Sequence, residues 1–384
     1  MKINISNLLL SALLVFGGGA LHAFSTTNGL YTLVNRLVDK RELPDRNLSL
    51  TYDKTFISYA AVDDLLRGLI TFFWPIANGS HAGLSLLSFL FAGQTVASWT
   101  LTMLEGIRKG NRGYLISFTT VYGLLIQTMG FALAGPLYLL IHLSTSPTVT
   151  SKSSGIAIDK SDLRALPLSV VTGFILPSML MALNASSTFN THGKVVTILL
   201  WQFFPVWCSI ALWVWKAVLD SSHLGSLYSW SSATPRTYLR LVYIVTLSIA
   251  ALAYSATMTL SISAYLFPGL FAPESSDLIM FGHLFVPTSP FSATQAPSVV
   301  QGAYWFMQWD FIVSSIAYII WAFTLKTAAI KQHSGSELSW VTALWQILLR
   351  TVLLGPMAAA LTFVWERDEI VLSNETFEGQ KKEV

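Results

Sequence analysis

Apolar residues run along this chain in stretches of about twenty, the length that crosses a bilayer as a helix, separated by short polar segments. The windows fall near 5–24, 56–77, 83–104, 114–143, 166–187, 195–217, 240–266, 304–327 and 339–364. They predict an all-α, polytopic membrane helix bundle with eight or nine spans. Residues 1–24 read as a signal-anchor or first transmembrane helix, with a cleaved signal peptide as the alternative. Residues 25–55 form a charged loop, 56–364 the bundle, and 365–384 a polar tail. Within the bundle, the proline-rich segment 267–303 reads equally as an ordered lid or a disordered connector. The window 114–143 is long for one crossing and contains Gly135-Pro136, which predicts a bend there.

Charge inside these windows is sparse, so each charged residue is informative. Asp63 and Asp64 lie within Ala60-Ala-Val-Asp-Asp-Leu-Leu-Arg-Gly-Leu-Ile. An ionised Asp in mid-span costs roughly 2.5–3.5 kcal/mol and faces a bundle interior or a wet cavity. Arg67 is within helical reach of either aspartate, and an ion pair would use one of them and leave the other over. Asp310 has no basic residue within four positions and is surrounded by Trp305, Phe306, Trp309 and Phe311. Arg350, inside another span, is its candidate counter-ion. Glu105 ends a span beside Arg108 and Lys109, where an ordinary interfacial glutamate is also expected. Gln127, Gln202, Gln308 and Gln346 are buried amides that serve equally well as links between helices.

The overall composition agrees with the pattern: 53% of residues are hydrophobic, 11% charged, and mean hydropathy is +0.56. A soluble domain carries about 25% charged residues. A net charge of +3 spread over loops implies no nucleic-acid partner. The single cysteine, Cys208, sits in an apolar span and reads as a packing residue. Alternating the loops places about nine Lys/Arg on one side and about twelve on the other, too even for the positive-inside rule. The sequons at Asn47, Asn78, Asn184 and Asn374 are glycosylation candidates but fall on both predicted sides.

Missing motifs narrow the chemistry. Asp63-Asp64 is followed by Leu-Leu-Arg, so no DDxxD cluster exists to hold Mg²⁺ and a diphosphate. There is no DxDD, GxSxG, HExxH, P-loop or histidine box, and the seven histidines are scattered. No metal and no cofactor is expected.

Five stretches, taken in order, resemble the membrane-bound terpene cyclases of fungal meroterpenoid pathways, in particular the ascofuranone/ascochlorin and macrophorin type. They are Val62-Asp63-Asp64-Leu-Leu-Arg-Gly-Leu-Ile-Thr-Phe-Phe-Trp-Pro75, Leu124–His142, Leu176-Pro-Ser-Met-Leu-Met181, Trp201-Gln-Phe-Phe-Pro-Val-Trp207 and Phe306-Met-Gln-Trp-Asp310. The resemblance implies a metal-independent cyclase in which an acidic side chain protonates a terminal epoxide or alkene on a prenylated aromatic substrate. By similarity the acid is Asp63 or Asp64, with Asp310 as a second acidic partner and Glu105 in support. Arg67, Gln127 and Arg350 would tune these groups. Trp74, Tyr138, Trp201, Phe204, Trp207, Trp305 and Trp309 are candidates to line the site, where aromatic faces stabilise cations. Burial favours the protonated form that an epoxide-opening acid needs. The hydrophobic substrate would enter from membrane lipid, in the endoplasmic reticulum. Two other classes remain: a proton-coupled transporter of a secondary metabolite using the same carboxylates, and a seven-helix receptor. The lack of repeat symmetry counts against the first. A lone cysteine and a short tail count against the second.

Overall fold

The computed structural model describes residues 5–44, 59–150, 153–183, 190–221 and 233–382, with side chains as far as residue 373. The fold is all-helical, with no strand among the described residues. The first half comprises α1 (Ile5–Gly18), α2 (Leu30–Lys40), α3 (Ala60–Ala77), α4 (Ala82–Ile107), α5 (Thr119–Met129), α6 (Phe131–Thr145) and α7 (Lys160–Val170). It is followed by α8 (Thr191–Gln202), α9 (Phe204–Ser221) and α10 (Pro235–Leu266). The short α11 (Pro273–Ile279) and α12 (Phe281–Phe285) precede α13 (Val299–Ser334), α14 (Trp340–Leu354) and α15 (Pro356–Lys382). Polar side chains start several helices by accepting from an amide two or three residues on: Asn190 from Gly193, Ser298 from Gln301 and Ser339 from Thr342.

Among the described residues, five helical stretches are long and apolar enough to cross a membrane: 5–27, α4, 160–182, α10 and α13. A sixth arises if α8 and α9, bent by 69°, count together. Of the other expected windows, 56–77 is met by α3, 114–143 by α5 and α6, and 339–364 by α14 and the start of α15. The bend in window 114–143 is not at Gly135-Pro136. Pro136 sits inside α6, and the break is at Gly130, whose φ of +86° is open to glycine. The Ala132 carbonyl, which Pro136 cannot bond, is approached closely by Gly17 of α1.

Three other expectations change. The charged loop 25–55 contains the amphipathic α2. The polar tail is the continuation of α15, in which Arg367 and Asp368 are fully buried. The 267–303 segment carries the short α11 and α12 and hydrogen-bonds to neighbouring elements. Tyr304 Oη and Gln308 Nε2 donate to the His283 carbonyl, Trp309 Nε1 donates to Thr288, and Ala296 N donates to Asn28.

The central α13 packs on α15, α6 and α1, while α4 packs on α10 and α7 on α9. Cys208 is buried where the backbone of Gly173 presses against it, a packing role.

Candidate active site

Four irregularities in the helices come together in one region. α5 and α6 are broken at Gly130, and α8 and α9 at Phe203. π turns occupy Gly19–Ala23, at the end of α1, and Val171–Ile175, at the end of α7. Irregular backbone at membrane depth is tolerated where protein or a cavity satisfies it, and π turns gather at functional sites. His22 on the first π turn contacts the Met129 carbonyl at 2.9 Å, while Phe174 on the second meets Phe204 edge-to-face, with ring centroids 4.8 Å apart. Aromatic contacts join the rest: Phe73 to Trp201 (5.2 Å), Trp201 to Phe204 (5.7 Å), Phe72 to Phe306 (5.0 Å) and His22 to Phe306 (6.2 Å).

Asp310 sits one turn beyond Phe306, with 6% of its surface exposed. Its Oδ1 accepts the Ala132 amide at 2.6 Å, so a carboxylate from α13 caps the N-terminus of α6. Amide hydrogen bonds and the helix dipole both stabilise negative charge at that point. A side chain at Gly130 would meet Asp310 Oδ1 at 3.1 Å and Leu21 Cδ1 at 2.6 Å, so glycine is needed for the approach as well as the turn.

Several buried polar atoms on the broken helices and on α3 have no hydrogen-bond partner among the described residues: Thr71 Oγ1, Trp74 Nε1, Gln127 Oε1 and both amide atoms of Gln202. Gln127 is one turn before Gly130. Lys194 Nζ donates to the carbonyls of Ala77, Met181 and Leu183, which ties the start of α8 to the end of α3. Phe73 of α3 meets Trp201 of α8 further along, so the two helices run antiparallel. Buried polar groups are normally paired, so this set suits an oxygen-bearing ligand. Two open clefts of the surface lie elsewhere. One of about 680 Å³ is lined by the ion pairs Arg240–Glu369 and Arg350–Glu366; one of about 500 Å³ lies beside Ser261, Tyr265 and His283.

The other expected residues fall into distinct places. Asp64 is 64% exposed and forms the ion pair with Arg67, at 3.3 Å. Asp63 is buried, on one stripe of α3 with Ile70 and Trp74 at i, i+7 and i+11. Arg350 does not partner Asp310; it binds Thr362 Oγ1 and Glu366 on α15 instead. Glu105 is not interfacial: it is fully buried, bound by Arg108 Nε (2.9 Å), His142 Nε2 (3.0 Å), Thr148 and Arg367. Arg108 also pairs with Asp368 at 2.8 Å, so two acids balance two arginines in a closed core. Tyr138 belongs beneath that core, donating to Thr102. Trp305 packs on Phe24 and Trp309 on Phe16, and Trp207 Nε1 donates to Leu200. Asn78 accepts the Ser80 amide in the link between α3 and α4; Asn47, Asn184 and the Asn374 side chain lie outside the described residues. Among the described residues no three His, Cys, Asp or Glu side chains gather in a metal-binding group.

Sequence reasoning passed over His22, Tyr31, Gln94, Lys194, Arg367 and Asp368. Lys194, a basic residue at the edge of an apolar window, carried a signal. His22 and Tyr31 carried none, because a break in α1 is not written in its hydropathy.

The sequence matches the CtvD domain family over residues 6–372. It is 34% identical to terpene cyclase ascI of Acremonium egyptiacum over 383 residues, covering 98% of this chain and 94% of that one. Terpene cyclase ctvD of Aspergillus terreus is 28% identical, with 95% and 99% covered, and terpene cyclase atmA of Aspergillus flavus is 24% identical, with 89% and 90% covered. No solved structure matches the chain.

Proposed function

The chain belongs to the CtvD-domain family of fungal terpene cyclases, and from that premise we propose that it cyclises a prenylated aromatic or polyketide intermediate by protonation, without a metal. The substrate carries a farnesyl chain, epoxidised at its far end, and reaches the enzyme from the endoplasmic reticulum bilayer. The short apolar helices and the pairs broken at Gly130 and Gly355 complete eight or nine crossings.

The observation that carries this reading is Asp310. The Ala132 amide holds Oδ1 and the Phe131 amide also bonds the carboxyl; the transferable proton is assigned to Oδ2. Transfer of that proton to the epoxide oxygen breaks the C–O bond and leaves a tertiary cation, which the internal alkenes attack in turn. The α6 amide stabilises the carboxylate that remains. Phe72, Phe306, Trp201 and Phe204 offer π faces to the migrating cation. Gln127, Gln202, Thr71 and Trp74 hold the oxygenated ring. Glu105 supports the fold through its ion cluster.

Asp63 is the second candidate acid, since it is buried and shares a helix stripe with Trp74. Microsomes containing the protein, fed a farnesylated phenol and its terminal epoxide with EDTA present, separate the two. The expected result is a cyclised product of unchanged mass, lost in Asp310→Asn and insensitive to EDTA. Retention in Asp310→Asn with loss in Asp63→Asn moves the acid to Asp63. Loss to EDTA in the parent overturns the metal-free reading.

A further inference from the structure

His22 uses both ring nitrogens. Nε2 faces the Met129 carbonyl at 2.9 Å and Nδ1 meets Tyr31 Oη at 2.5 Å. A carbonyl only accepts, so Nε2 carries the ring hydrogen and Nδ1 accepts from the tyrosine. Burial pushes the Tyr31 hydroxyl up, so it remains a protonated donor near neutral pH. Met129 and Ala132 flank Gly130. The histidine–tyrosine pair and Asp310 therefore hold the same helix break from its two ends. Phe306 lies between them, its ring 6.2 Å from His22 and its backbone one turn before Asp310.

The proposed reaction leaves one proton to be placed. Asp310 gives a proton to start the cascade, and a neutral cyclic olefin forms only if another is removed at the end. We infer that Tyr31 Oη, backed by His22, removes this terminating proton; the assignment rests on the cyclase reading above. The C–H bond beside the last cationic carbon breaks, and its electron pair becomes the new C=C bond. The proton joins Tyr31 Oη while the tyrosine's own proton passes to His22 Nδ1. The imidazolium so formed stands across Gly130 from the Asp310 carboxylate, so the two charges created by the cascade end as neighbours and offset each other. Passage of the proton from His22 back to Asp310 restores both groups.

The test uses microsomes holding the full chain, fed the epoxide of a farnesylated phenol, with products of the parent, Tyr31→Phe, His22→Gln and Asp310→Asn resolved by mass. Tyr31→Phe removes one oxygen and keeps the ring; His22→Gln keeps a donor for the Met129 carbonyl but takes no proton. In both, the olefin is expected to fall by about tenfold as a share of all products, replaced by alcohols heavier by one water. An unchanged olefin share in the two variants, at any total rate, overturns the assignment, because a merely structural loss slows every product alike. If Tyr31→Phe does not accumulate, His22→Gln reads the same ratio. A parent that consumes no substrate overturns the cyclase reading instead, and a silent Asp310→Asn beside active dyad variants keeps the two questions apart.

Discussion

Two breaks in this bundle are built almost identically. At Gly130 φ and ψ are 86° and 158°, and at Gly355 they are 88° and 159°. Each glycine ends one apolar helix and starts another, and in each a side chain from a distant helix caps the second amide of the new helix. At Gly355 that side chain is Gln94, whose Oε1 accepts Met357 and Ala358 while Nε2 donates to Ala250 and Leu354. At Gly130 it is Asp310, accepting Ala132. A neutral amide therefore suffices to cap such a break, and in Gln94 it satisfies every neighbour. An acid at the other break brings a desolvation cost that capping does not require. The difference fits a structural role for Gln94 and supports the acid role proposed for Asp310.

The sharpest way to break this comparison is Asp310→Asn. The amide oxygen of asparagine still accepts from Ala132, so the thermal midpoint in detergent should move by only a few degrees. Cyclisation should fall by about 10²–10⁴-fold, the scale of a lost general acid. An enzyme that retains its rate, or one that unfolds outright, would make Asp310 a second Gln94. The converse substitution is Gln94→Leu. It leaves two amides and two carbonyls without their partner in a buried site, at roughly 1–3 kcal/mol for each group that finds no substitute. Heat stability should drop clearly while the product pattern of the surviving enzyme is unchanged.

Alanine at the two glycines sharpens the comparison further. Gly130→Ala and Gly355→Ala both force a side chain into positive φ, at about 1–2 kcal/mol. At Gly355 the added carbon meets Gln94 Nε2 at 2.5 Å; at Gly130 it meets Leu21 Cδ1 at 2.6 Å and Asp310 Oδ1 at 3.1 Å. Stability should therefore fall in both variants. Only Gly130→Ala, which moves the acid, should also lower turnover per folded molecule, measured as product formed against folded protein by fluorescence-detected size exclusion.

These contrasts also show what the sequence could convey. The helical class and the isolated acids were legible because a twenty-residue apolar window and an unpaired Asp are local properties. Asp310 stood out among Trp305, Phe306, Trp309 and Phe311 for that reason. The break at Gly130 was not legible: Gly135-Pro136 is the stronger local signal, yet α6 absorbs it by leaving the Ala132 carbonyl against Gly17. Partners were less legible still. Arg350 was within reach of Asp310 on a bundle diagram, but α15 supplies Glu366, sixteen residues further along its own chain. Glu105 looked interfacial because Arg367, which binds it, and Asp368, which pairs with Arg108, come from a segment whose charge reads as a tail.

The smallest effect is expected at Asp64, and the comparison depends on its being small. Asp64 neighbours a buried acid in sequence and resembles it in chemistry, so a sequence alone treats the two alike. In the fold its carboxylate is 64% exposed, and its contact with Arg67 is a single 3.3 Å ion pair three residues along the helix. Pairs of that kind are worth about 0–1 kcal/mol and are screened by salt. Asp64→Asn should therefore change turnover by less than about twofold, with a similar result in low and high salt. Asp63→Asn, at a position with 3% exposure on the Trp74 stripe, should perturb the enzyme more than its neighbour does. Equal and large losses at both positions would mean that the exposed carboxylate meets substrate, and would shift the reacting end of the cascade from Gly130 to the start of α3.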